Sequence, residues 1–164
     1  MHFLPLLTTA LLPLTTLALG GLFINNNCYS ISPPLTRLIP AYIAQSDTYT
    51  RIIGVSAPGE QFHHAFQTGH GVSIQVADHN NGPFDGSPLL EVNYAIDEAG
   101  GLVYYDLVNV NGALLEGYTV VLKAPAGCGS VRWPEGVPEE GEERVGTLAC
   151  GSDAVLALDL CKAP

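Results

Sequence analysis

Cations are scarce in this chain: six lysines and arginines stand against sixteen aspartates and glutamates, a formal net charge of −10. That shortage argues against nucleic acid and anionic membrane as partners, because both are gripped by basic side chains that neutralise phosphate. Sustained helical periodicity is also missing. The one stretch that hints at it, PLTRLIPAYIA, is broken by Pro40. Beyond the first twenty residues no apolar run approaches the ~20 residues of a membrane helix. There is no G-x-S-x-G turn for a serine nucleophile, and GHG and GCG lack the phosphate-loop spacing. No C-x-x-C pair occurs, which speaks against a thiolate zinc site, and no N-x-S/T sequon occurs. No cofactor is implied.

The opening MHFLPLLTTALLPLTTLALG is apolar, almost uncharged and too short and proline-broken to span a bilayer. It reads as a secretory leader over residues 1–20, cut near Ala18 or Gly20, with one domain over 21–164. Four cysteines follow: Cys28, Cys128, Cys150 and Cys161. An even count after a leader implies two disulfides, with three possible pairings. A bridge from Cys28 to Cys161 would close the longest loop, stabilising by about 4–5 kcal/mol in the chain-entropy account. Cys28–Cys161 with Cys128–Cys150 is therefore the expected set.

Strand signals dominate the rest. GLFINN, TYTRIIGV, QFHHAFQ, GVSIQVAD, LLEVNYAI, LVYYDLVNV, LLEGYTVVL, GSVRW, RVGTLAC and AVLALDL are short β-type segments separated by turn residues. HNNGPFDGSP (79–88) reads as a loop, and YSIS and LIPAYIA as two strand-like pieces around Pro33-Pro34. Many short strands of this kind predict an all-β fold, an antiparallel sandwich or barrel. The chain is expected to be a monomer.

His63, His64, His70 and His79 crowd one region, but adjacent strand residues face opposite sides, so His63 and His64 cannot both join one metal. They read as surface and loop histidines, and no metal site is expected. The acidic run EGVPEEGEER reads as a solvated loop.

Two alternating segments, 89–97 and 102–110, each carry a lone carboxylate, Glu91 and Asp106. Glycoside hydrolysis needs two acids about 5–9.5 Å apart, and neighbouring strands can supply that. Sugar binding asks less: acids and amides that accept from hydroxyls, beside aromatic rings. Glu91, Asn93, Asp106, Asn109 and Asn111, with Tyr104 and Tyr105, offer such groups. The same residues could equally be the solvent side of a half-buried antiparallel sheet.

GLFINNNCYSI, LLEVNYAIDEAGGLVYYDLVNVNG and CGSVRWP resemble the thaumatin-like proteins, and the small size and four cysteines resemble their small fungal branch, the Blastomyces yeast-phase-specific protein family. The resemblance implies a thaumatin-like β-sandwich, secretion to the cell wall or medium, and a bridge between first and last cysteines. Larger members carry an acidic cleft of one Arg, one Glu and three Asp, tied to β-1,3-glucan. Glu91 matches its Glu and Asp106 its first Asp. Asn111, an amide, stands at the next Asp, and the strand matching the Arg, GVSIQVAD, has none. With these losses the resemblance implies cell-wall glycan binding by Glu91, Asp106, Asn111 and Tyr104 without catalysis. The alternatives are a secreted effector or antigen that binds a host protein, and a weak endo-β-1,3-glucanase using Glu91 and Asp106.

Overall fold

β-Branched and aromatic residues in short alternating runs cannot bury two faces alone, so they pair edge to edge and then stack. The computed structural model describes residues 19–28, 41–46, 49–139 and 146–162. The strands are β1 (Gly21–Asn26), β2 (Ala41–Ser46), β3 (Thr50–Ser56), β4 (Gln61–Ala65), β5 (Val72–Ala77), β6 (Leu89–Asp97), β7 (Leu102–Val110), β8 (Thr119–Lys123), β9 (Val131–Trp133), β10 (Leu148–Gly151) and β11 (Val155–Lys162). They form a five-stranded sheet, β4-β1-β11-β8-β9, and a six-stranded sheet, β10-β7-β6-β5-β2-β3. Their facing sides carry the alternate apolar residues: Leu22, Ile24, Leu122, Leu156 and Leu158 from one, Ile43, Ile74, Leu90, Val92 and Val103 from the other, all fully buried. This is the expected two-layer, antiparallel-rich sandwich.

Several sequence readings need correction. β1 and β11 pair in parallel, in register from Gly21↔Val155 to Asn26↔Leu160, inside otherwise antiparallel sheets. The pair joins the two ends of the described chain, a contact no local pattern announces. The 79–88 loop contains a one-turn helix, α1 (Gly82–Asp85), started by Pro83 and stopped by Gly86 in the left-handed region, φ 80°. In LLEGYTVVL only β8 is strand; Leu115 sits in the preceding turn with its side chain buried. YSIS, the second half of the acidic run (140–144) and residues 1–18 of the expected leader lie outside the described residues.

Disulfides join Cys28 to Cys161 and Cys128 to Cys150, and no cysteine is free. The first ties the ends of the parallel pair β1/β11; the second ties the β8–β9 loop to β10. No described helix is long and apolar enough to cross a membrane.

Candidate functional site

The turn between β6 and β7 sets the geometry. Asp97 Oδ1 accepts the Gly100 N–H at 3.0 Å, and Gly101 takes a left-handed φ of 66°. That closure fixes the register: Glu91 opposes Val108, Asn93 opposes Asp106, and Ala95 opposes Tyr104. Because side chains alternate, Leu90, Val92 and Tyr94 go to the core, and Glu91, Asn93, Tyr104 and Asp106 go to the outer face together.

On the other side β5 continues both rows, with Ser73 opposite Asn93 and Gln75 opposite Glu91. Ser73 Oγ donates to Asn93 Oδ1, and Asn93 Nδ2 donates to Asp106 Oδ1 at 2.9 Å. One row is therefore a hydroxyl–amide–carboxylate chain across three strands. In the second row Gln75 Nε2 donates to Glu91 Oε1 at 2.7 Å. Glu91 and Asp106 share one face but stand diagonally, in different rows, a relation of about 7–8 Å between strands.

A depression of about 260 Å³ opens over the first row, lined by Ser73, Asn93, Tyr104, Asp106 and Thr147 among others. Glu91 is not part of its wall, and neither is Asn111. Asn111 lies in the turn after β7, five residues from Asp106, about 16 Å at strand rise. Two other expected sugar contacts turn inward. Tyr105 is 1% exposed and its hydroxyl donates to the Gly129 carbonyl at 2.5 Å; burial holds that phenol above its usual pKa. Asn109 Nδ2 donates to the Gly136 carbonyl at 2.9 Å. Ser73 and Thr147, which sequence reasoning passed over, join the site. Ser73 was legible as the polar member of an alternating strand, but its cross-strand partner was not.

The histidines separate. His63 is exposed and its ring lies 4.5 Å from that of Phe23. His64 is buried, not on the surface, with Nε2 2.8 Å from the Tyr94 hydroxyl. His79 sits between Asp78 at 2.6 Å and Asp85 at 3.0 Å. Its hydrogen bonds to those two carboxylates raise its pKa. Asp85 is pulled down to about 2 by hydrogen bonds from Ser87 and His79. Among the described residues no three His, Cys, Asp or Glu side chains gather as metal ligands.

The sequence profile of the Blastomyces yeast-phase-specific protein family matches residues 9–162. No curated protein sequence matches the chain. Among solved structures, the protein elicitor MoHrip2 from Magnaporthe oryzae superposes with a TM-score of 0.67 at 16% identity, over 87% of this chain and 99% of that one. The thaumatin-like xylanase inhibitor TLXI superposes with a TM-score of 0.51 at 11% identity, over 86% of this chain and 99% of its own. The fold is thus thaumatin-like. The chain belongs to the Blastomyces yeast-phase-specific protein family.

Proposed function

We propose that this family member is a secreted, non-catalytic protein that binds cell-wall glycan of the β-1,3-glucan class through the depression over β5, β6 and β7. The observation that carries the reading is the Ser73–Asn93–Asp106 row beside the half-exposed ring of Tyr104. Asn93 occupies Oδ1 of Asp106 and leaves Oδ2 to accept from a sugar hydroxyl. Tyr104 supplies an apolar face for a pyranose ring. The volume, about 260 Å³, falls below the ~300–1,000 Å³ of drug-sized ligand sites, and suits a sugar unit rather than a buried oligosaccharide.

Binding is favoured over hydrolysis because a glycosidase sets two carboxyl groups on either side of one bond. Here only Asp106 faces the depression, while Glu91 stands outside it and is tied to Gln75. Secretion is supported by the two disulfides, which belong to oxidising compartments, together with the apolar leader sequence.

The test is retention of the purified protein on insoluble β-1,3-glucan. Wild type is retained, Asp106→Ala and Tyr104→Ala are each retained at least tenfold less, and Glu91→Ala keeps most of its retention. A wild type that passes straight through overturns the reading.

A further inference from the structure

The opposite face of the molecule holds charges of the other sign. Four lysines and arginines fall among the described residues: Arg51, Lys123, Arg132 and Lys162. Three of them come together on the outer face of the five-stranded sheet, on the adjacent strands β11, β8 and β9. Val121 of β8 opposes both Asp159 and Arg132, and Thr119 opposes Lys162. Lys123, two residues from Val121, has the same outward direction. The cluster therefore spans about 10 Å across three strands.

One carboxylate lies among them, and it is already saturated. Asp159 is 5% exposed; its Oδ2 takes Lys123 Nζ at 2.5 Å and its Oδ1 takes Asn25 Nδ2 at 2.6 Å. Asp159 thus holds Lys123 in place, and neither Arg132 nor Lys162 has an ion pair among the described residues. The nearest other acids along the chain, Glu116 and Glu135, belong to the turns entering β8 and leaving β9. In a protein of net charge −10, a face with three cations and one described carboxylate is a local reversal of the field.

Across the same face, the row continues from Asp159 to Asn25 and Gln61, linked by Gln61 Nε2 donating to Asn25 Oδ1 at 2.6 Å. Beside it lies the Phe23–His63 ring pair. Cations, amides and a ring on one sheet face match a polymer that carries both carboxylates and hydroxyls. We propose that this face binds an acidic polysaccharide bearing uronate carboxylates, seated on Arg132, Lys123 and Lys162 and extending toward Asn25 and Gln61. Nucleic acid or an anionic bilayer, with denser charge, would be repelled by the rest of the chain.

The probe is polygalacturonate, used in affinity electrophoresis with the full chain at about 0.15 M salt, with its carboxyl-reduced form as control. Wild type is retarded by the acid polymer and not by the reduced one. Arg132→Glu/Lys162→Glu, which leaves the Lys123–Asp159 pair intact, loses retardation at least tenfold; its unchanged urea midpoint verifies folding. Asp106→Ala is retarded like wild type, which separates this face from the depression on the other sheet. The proposal is overturned by an unretarded wild type, by equal retardation of the double variant, by retardation in the reduced polymer, or by binding to polyaspartate or a phosphate polymer in preference to the uronate.

Discussion

His64 on β4 and Tyr94 on β6 meet at 2.8 Å, Nε2 to hydroxyl, a hydrogen bond that crosses from one sheet of the sandwich to the other. The same Tyr94 oxygen accepts the Gln67 N–H at 3.1 Å, so one hydroxyl joins the buried ring to the backbone just after β4. Burial, and then the charges of His63 and Arg51, hold the His64 pKa below its ordinary 6.5. The unfolded chain therefore takes up a proton that the folded chain refuses. The stabilisation is complete above pH 6.5 and is lost as pH falls through the lower folded value. His79, whose pKa is raised, acts with the opposite sign, but it is fully exposed and its contribution is small. The urea midpoint is expected to drop between about pH 7.5 and about pH 5. His64→Gln should flatten that drop; an unchanged slope in the variant would sink the assignment.

Lys123 should matter to stability far more than its exposure suggests. Burial alone would push the Asp159 pKa up, but hydrogen bonds from Lys123 and Asn25, and the charges of Lys123 and Lys162, bring it below the ordinary carboxylate value. Removing the ammonium strands a buried charge, which costs more than losing a surface pair. Because the Lys123 side chain is itself 48% exposed, the expected loss for Lys123→Met falls below the ~3–5 kcal/mol of breaking a fully buried pair, at about 2 kcal/mol. Lys162→Met should stay within about 0.5 kcal/mol. Urea unfolding at neutral pH distinguishes the two.

Asn111 has a backbone role that can be separated from any binding role. It is one of two described non-glycine residues with positive φ, at 57°, and it is exposed. A β-carbon there is disfavoured unless a short polar side chain compensates. Asn111→Ala should cost about 1 kcal/mol, whereas Asn111→Gly should be neutral or stabilise by a few tenths. Glucan retention should be the same for both, because the turn lies about 16 Å from Asp106. Reduced retention in Asn111→Gly would extend the site to this corner.

The alternation in 89–97 and 102–110 made both strands and their buried faces legible, since period two is visible in one dimension. Leu90, Val92 and Tyr94 lie inside, and Glu91 and Asn93 outside. What alternation cannot carry is register. The β6–β7 turn places Asn93, not Glu91, across from Asp106. Ser73 entered the site for the same reason: its importance comes from the strand beside it. His64 looked like a surface residue because QFHHA has no clear apolar side. Only the parallel seam between β1 and β11 makes β1 a central strand and turns one side of its neighbour β4 inward.

The same seam bears on where a secretory leader can end. Gly20 N–H donates to the Ser152 carbonyl at 2.9 Å, and the Gly20 carbonyl accepts the Phe66 N–H at 3.1 Å. A β-carbon on Gly20 would lie 1.8 Å from the Ala154 carbonyl oxygen, backbone that has no side chain to swing aside. Gly20 is thus built into the sheet, bridging β4 to the turn before β11. Of the two cleavage positions the sequence allows, the cut after Gly20 would strip both hydrogen bonds, leaving the buried Ser152 without that donor. The cut after Ala18 preserves them. Protein collected from the medium of a secreting host should therefore begin at Leu19, as read by N-terminal sequencing. Gly20→Ala should destabilise it by about 2–4 kcal/mol through the backbone clash. A mature chain that starts at Gly21 and unfolds at the same urea concentration as one that starts at Leu19 would show that this bridge contributes nothing.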